Sequence, residues 1–230
     1  MAEPGPFVLA TTNPNKAREI REIFLACGFE ATLLDRPAEV PEVEETAPTL
    51  VGNALLKAKA LVAATGRPAI ADDTGIEVAA LGGAPGVRSA RYAGEPPDEE
   101  ANVDKLLIEL AGRVGPEQRR ARFVTAAVAV WPDGRQLLAE GSVEGWVANG
   151  RKGRGGFGYD PVFVPAEADG RTFGEMAALS PEAKHALSHR GRAFRALASS
   201  LAALEGDDAG RAVAAGRSVA AGRSRGRVQR

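Results

Sequence analysis

The chain has 230 residues, and its 29 lysines and arginines against 30 aspartates and glutamates leave a net charge of −1. That length suits one well-buried core or two closely joined lobes, and that charge gives no global argument for nucleic-acid binding. No window reaches about 18 continuous apolar residues, no basic N-terminal region precedes an apolar run, and one cysteine excludes a disulfide framework within the chain, so a soluble cytoplasmic protein is expected.

Phe7 to Ala10 is a short apolar run bounded by turn formers and reads as a strand. Thr11 to Asn15 is a loop, with Pro14 suited to a first helical turn. From Lys16, Ile20, Ile23, Phe24 and Cys27 recur with helical period until Gly28, and Cys27 is expected to be a buried thiol there. Ala31 to Leu34 is a weak second strand, followed by an acidic, proline-containing loop from Asp35 to Pro48. Thr49 is placed to cap a helix whose stripe is Leu50, Ala54, Leu55, Ala58, Leu61 and Val62, ended by Gly66. Asn53 and Lys57, four apart, share another stripe of it.

Pro68 to Ala71 reads as a short strand leading into Asp72-Asp73-Thr74-Gly75, and Ile76 to Leu81 as another short apolar segment. Glu99 to Leu110 has helical period, Phe123 to Trp131 reads as a strand, and Gln136 to Val147 as a further extended pair. Residues 149 to 160 are glycine-rich, with a short strand at Pro161 to Val164. Ser180 and Pro181 open a helix, Ser188 to Gly191 reads as a loop, and Ala193 to Leu204 closes the domain. The domain therefore spans residues 1 to 205. Gly206 to Arg230, with six arginines and two aspartates, has no strong apolar stripe and reads as a disordered basic tail.

Adjacent aspartates are costly unless a cation or a set of donors holds them. Successive strand side chains point opposite ways, so Asp72 and Asp73 need not both face a ligand. Glu44 and Glu45 offer a carboxylate from another loop, and such hard oxygen ligands favour Mg²⁺ or Mn²⁺ beside phosphate. Asn13, Asn15 and Lys16 at a strand-to-helix turn offer amide donors, a point charge and the oriented N–H groups of a helix start. No Walker A pattern is present and no G-x-G-x-x-G opens this strand–loop–helix unit, so phosphate is held by another geometry, with Lys57 and Lys184 as supplements. Phe157 offers a face for stacking on a base. His185 and His189 are spaced like a zinc pair but lack the usual H-E-x-x-H context; His189 and Arg190 suit donors to a polar ligand better.

Five motifs in order, TTNPNKAREI, EETAPTLVGNALLKA, ADDTGIEV with LGGAPGVRSARYAG, GGFGYDPVF and LSPEAKHALSHRG, closely resemble the non-canonical purine nucleoside triphosphate pyrophosphatases, the inosine/xanthosine triphosphate pyrophosphatase family. The resemblance covers roughly residues 7 to 204. It implies an α/β fold: a long twisted mixed sheet flanked by helices, with two lobes enclosing an active-site cleft. It further implies a homodimer that hydrolyses ITP, dITP or XTP to the monophosphate and pyrophosphate with Mg²⁺, for which Mn²⁺ can substitute. No membrane and no specific nucleic acid belong to that picture.

The same resemblance implies roles residue by residue. Thr11, Thr12, Asn13, Pro14, Asn15 and Lys16 hold the triphosphate, aided by Lys57 and Lys184. Glu45 binds Mg²⁺; Asp73 binds it too and acts as general base, supported by Asp72 and Asn53. Thr74 contacts substrate where many relatives have serine. Phe157 stacks on the base, with Gly158, Tyr159 and Asp160 beside it and His189 and Arg190 nearby. Thr12, Gly52 and Arg88 depart from common versions of the pattern, which have glycine, glutamate and tyrosine there.

Selectivity has a chemical basis in that reading. Hypoxanthine and xanthine carry a 6-oxo group, adenine a 6-amino group, and guanine an added 2-amino group. His189, Arg190 and backbone amides near Phe157 are the candidate donors. Two other readings compete: a septum-inhibition-associated nucleotide pyrophosphatase, against which SHRG and FGYDP argue, and a non-enzymatic nucleotide- or RNA-binding module, which leaves the Asp pair and Glu45 unexplained.

Overall fold

A computed structural model describes residues 5–29 and 31–204, and their strands form one mixed six-stranded sheet of order β2-β1-β3-β4-β5-β6. β1 (Phe7–Leu9) lies between β2 (Leu33–Leu34) and β3 (Ala69–Val78) and runs parallel to both. Parallel neighbours need crossovers, and α1 (Pro14–Ala26) and α2 (Leu50–Thr65) supply them. The local signals work as expected. Asn13 caps α1 with Pro14 in its first turn, Thr49 caps α2, and Gly66 ends α2 in the left-handed conformation.

The other half of the sheet is antiparallel. β3 pairs with β4 (Arg120–Val130) from Ala69↔Val130 to Val78↔Ala121, and β4 pairs along its length with β5 (Gln136–Val147). β6 (Phe163–Pro165) forms the far edge. The helices α3 (Glu99–Glu109), α4 (Phe173–Leu179), α5 (Pro181–Leu187) and α6 (residues 189–204) complete the described chain.

This long ribbon carries separate cores towards its two ends. At one end, α1 and α6 bury Ile20, Ile23, Phe24, Phe194 and Leu197 against one face, over Ile70, Ala127 and Ala129. On the opposite face α2 buries Ala54, Ala58 and Leu61 against Ala69, Ala71 and Val128. At the other end, α3 and α4 pack Val103, Leu106, Phe173 and Met176 onto Ile76, Val78, Phe123 and Val143. The polar stretch Asp72 to Gly75 lies between these cores.

Several expectations need correction. The Asp pair does not follow a strand; it lies inside β3, which continues to Val78 because β4 pairs with every residue of it. Gln136 to Val147 is one strand, not a pair. Cys27 is exposed, because it caps the C-terminus of α1 instead of lying on its buried stripe. His189 to Gly191 are helical, beginning α6 directly after Ser188. The short helix α4, held by a Thr172–Glu175 capping box, had no reading from the sequence. The reading of Gly206 to Arg230 as a tail lies outside the described residues. Among the described residues, no helix is long and apolar enough to cross a membrane.

Candidate active site

A cleft of about 410 Å³ opens over the middle of β3, with walls from both cores. One wall is the loop before α1, from which Thr11, Thr12, Asn13 and Lys16 line the cleft. The Asn13 side chain accepts from the backbone N–H groups of Asn15 (2.9 Å) and Lys16 (3.2 Å), and Thr11 accepts from Asn13 N–H (3.1 Å). No acidic residue occupies the first turn of α1, so its N-terminus presents an uncompensated positive field to the cleft. Pro14 and Asn15 shape this turn but are not part of the cleft wall; Asn15 Oδ1 accepts instead from Arg18.

The Asp pair divides between the two faces of the sheet, as strand alternation requires. Asp72 points to the face of α1 and α6, lines the cleft, and lies 3.7 Å from Lys16 Nζ and 3.4 Å from Arg190 Nε. Burial opposes its ionisation, but Lys16, Arg190 and Lys57 overrule burial and hold its carboxyl well below the usual range. Asp73 points the other way, towards α2. It accepts from Lys57 Nζ at 3.1 Å and from Asn53 Nδ2 at 3.2 Å, and sits behind the cleft wall, which Lys57 forms. Burial, augmented by Glu45, pushes Asp73 up from the ordinary aspartate value despite the attraction of Lys57.

Glu45 reaches the same ammonium: its Oε1 is 3.1 Å from Lys57 Nζ. Two hard carboxylates therefore converge on one cation, which is the donor set Mg²⁺ or Mn²⁺ prefers when phosphate oxygens complete the shell. Among the described residues, no group of three histidines, cysteines, aspartates or glutamates is gathered to hold a metal without such help. His185 and His189 do not converge either: His185 faces Glu19 and Glu22, while His189 stacks on Phe123.

The glycine-rich loop supplies another wall of the cleft, through Phe157, Gly158, Tyr159 and Asp160. Gly156, at φ +75°, has room for no side chain: a Cβ there would lie 2.1 Å from Asp160 Oδ2. The loop thus wraps the Asp160 carboxylate, which accepts from Phe157 N–H at 3.0 Å and from Lys184 Nζ at 2.7 Å. This leaves Phe157 half-buried on the cleft wall, its ring 5.1 Å from Lys184 Nζ and 5.3 Å from Arg190 Cζ. Gly158 N–H donates to Glu99, and the buried Tyr159 hydroxyl donates to Ser89 O. Ser89 is itself tied to β3 because Gly75 lets the Gly86 carbonyl approach to where a Cβ would stand.

Lys184 does not reach the cleft. It is 2% exposed and its ammonium is held at 2.7 Å by both Asp160 and Glu19. Arg190 and Thr74 do line the cleft; Arg190 also donates to Glu19 at 2.6 Å, and Thr74 shares a 2.8 Å hydrogen bond with the buried Thr125. His189 is buried on the cleft wall, and its Nδ1 has no hydrogen-bond partner. Burial, then Arg190 and Lys184, pushes it well below the ordinary histidine value, so the imidazole is neutral at neutral pH.

Sequence reasoning did not single out Glu19, Arg91 or Phe123. Glu19 is buried beside Ile20 on the inward face of α1 and gathers Lys184, Arg190 and His185. Its signal was a charged residue next to the apolar stripe, one turn after Lys16. Arg91 donates to the Glu45 carbonyl at 2.9 Å and lies 3.5 Å from its carboxylate. Of the departures from the family pattern, Gly52 is accommodated locally: it leaves space that Ala47 occupies, since a Cβ there would meet the Ala47 Cβ at 2.5 Å.

Residues 7–200 match the Ham1 family. A dITP/XTP pyrophosphatase of Thermus thermophilus is 49% identical over 191 residues, covering 83% of this chain and 88% of that protein. One from Streptomyces coelicolor is 46% identical over 192 residues, covering 83% and 94%. A solved HAM1 protein from Coxiella burnetii superposes with a TM-score of 0.75 at 36% identity, covering 86% of this chain and 99% of that one. The Ham1 protein of Staphylococcus aureus superposes with a TM-score of 0.72 at 39% identity, covering 88% and 99%. The family match, the sequence similarity and the superposition agree, and the chain belongs to the Ham1 family.

Proposed function

We propose that this cleft hydrolyses the α–β phosphoanhydride of non-canonical purine nucleoside triphosphates, ITP, dITP and XTP, releasing the nucleoside monophosphate and pyrophosphate. The relatives named dITP/XTP pyrophosphatase support the reaction class. The observation that carries the reading onto these residues is what one cleft brings together. The start of α1 with Lys16, the Lys57 ammonium held by Glu45 and Asp73, the Phe157 face and the neutral His189 imidazole all border it.

In this reading the α1 N-terminus, Thr11, Thr12, Asn13, Lys16 and Lys57 bind the triphosphate and stabilise the charge left on pyrophosphate, while Pro14 and Asn15 shape the turn. Phe157 stacks on the base, while His189, Arg190 and the loop amides meet its polar edge. Asp73 takes the proton of the water that attacks the α-phosphorus, its carboxylate held in place by Lys57 and Asn53. Glu45 and Asp73 are the residues that would hold Mg²⁺, or Mn²⁺ in its place, which neutralises phosphate oxygens and polarises phosphorus. Asp72 and Asn53 keep this arrangement in register, and Lys184 acts through Asp160 by fixing the loop that carries Phe157. The working form is a cytoplasmic homodimer.

Rejection of canonical purines follows if the cleft donates to O6 and offers nothing to a 2-amino group, because a buried unpaired polar group costs about 1–3 kcal/mol. Product analysis tests the whole reading. Purified protein with Mg²⁺ should release pyrophosphate, not orthophosphate, from ITP, dITP and XTP, with much slower release from ATP and GTP. It should also elute as a dimer under light scattering. Orthophosphate as the primary product, or equal rates on all purines, would overturn it.

A further inference from the structure

We infer that Phe123 is a positioning residue for base selection, acting by fixing the plane of the His189 imidazole; this rests on the function proposed above. The two rings stack face to face with centroids 4.3 Å apart and planes 11° from parallel. His189 is buried on the cleft wall, and its Nδ1, itself buried, has no hydrogen-bond partner in the protein. A buried polar atom in that state is costly, and a free ring would turn to relieve it. No hydrogen bond from Nδ1 orients this ring; the stack on Phe123 constrains its plane.

Phe123 is suited to that task because it cannot itself move easily. It sits in mid-sheet, paired with Ile76 on β3 and Val143 on β5. Phe163 meets it edge-on at 4.8 Å, and Phe173 lies tilted at 6.3 Å. The backbone of His189 is fixed independently. Its carbonyl oxygen lies 2.3 Å from where a Cβ on Gly141 would stand, so β5 admits α6 at that point only because residue 141 is glycine. Gly141 thus sets where His189 begins, and Phe123 sets which way its ring faces. The imidazole is thereby held in one orientation on the cleft wall, where the 6-position of the purine distinguishes hypoxanthine from adenine.

The experiment compares kcat/KM for ITP and ATP in the parent, Phe123→Leu, Phe123→Tyr, His189→Ala and the double variant Phe123→Leu/His189→Ala. Phe123→Leu keeps apolar bulk but loses the flat face, and should lower the ITP/ATP ratio about three- to tenfold, the range of an aromatic pair. Phe123→Tyr, which keeps the face, should hold the ratio within about twofold of the parent. In the His189→Ala background, Phe123→Leu should change the ratio by less than about twofold, because a residue acting through His189 has nothing left to act on. Equal losses for both nucleotides, or additive losses in the double variant, would overturn the proposal. The stack is also read without turnover: His189 ring protons should show an upfield ring-current shift that Phe123→Leu removes. Unshifted protons in the parent defeat the inference, whereas shifted protons in a protein that does not hydrolyse ITP defeat only the function on which it rests.

Discussion

Glu19→Gln is the sharpest test of how this site is held together. Glu19 is 6% exposed and receives Arg190 at 2.6 Å, Lys184 at 2.7 Å and His185 at 3.6 Å. Glutamine keeps the shape but has one acceptor oxygen and turns an N–H₂ group towards a cation. Breaking a buried pair costs about 3–5 kcal/mol because the surviving charge is left uncompensated. Here Lys184 retains Asp160 and Arg190 retains Asp72, so the lower end, about 3 kcal/mol, is expected. That corresponds to a fall in Tm of about 6–12 °C for a domain of this size.

The pH dependence has a definite sign. Burial would raise the Glu19 carboxyl, but His185, Arg190 and Lys184 together hold it far below its ordinary 4.5. A depressed folded-state pKa contributes stability above the unfolded value and loses it as pH falls towards the folded one. The gap between parent and variant should therefore be full at pH 7 and shrink as pH falls below about 4.5. Urea denaturation at pH 7 and at about pH 3.5, with m-values compared, measures it. A gap under about 1 kcal/mol at pH 7, or one that does not change with acid, would refute the account of Glu19 as the ionised centre of the cluster.

Asp73→Asn should lower turnover by about 10²–10⁴-fold with an unchanged circular dichroism spectrum, because the amide keeps the shape but cannot take the proton; near-parent ITP hydrolysis would remove Asp73 from the chemistry. Glu45→Gln should raise the Mg²⁺ concentration needed for half-maximal rate at saturating ITP more than it alters the nucleotide requirement, and an unchanged metal titration would turn attention to Glu44. Phe157→Ala should weaken all purines by the ~1–3 kcal/mol of a stacked base. It should lower kcat/KM for ITP more than for ATP or GTP, since positioning is lost with stacking. An equal fall would leave Phe157 a generic platform, and no fall would leave it a packing residue.

What the chain dictates locally could be read directly. Asn13, Thr49 and Ser180 cap helices, and Gly66 stops one, because each acts on backbone groups within a turn of itself. Alternation also foretold that Asp72 and Asp73 would face apart, since that depends only on adjacent residues of one strand. The sequence did not reveal that the strand continues through them. Two buried aspartates in a strand interior contradict local preference, and they are stable there only because Lys16, Lys57 and Arg190 arrive from α1, α2 and α6. The same holds for Lys184, which the motif placed among the phosphate lysines and which the fold commits to Glu19 and Asp160. Phe123 gave no sign beyond an aromatic at a strand start; the ring it meets lies 66 positions later, at His189. Local preference was enough for most helices and strands and for the types of group available to the site, but not for the run of β3 through the Asp pair, the single strand β5 or the helix α4. The partner of each buried charge and the direction of each ring were decided by tertiary packing, because these interactions join residues distant in the chain and act through the low-dielectric space that only the folded protein creates.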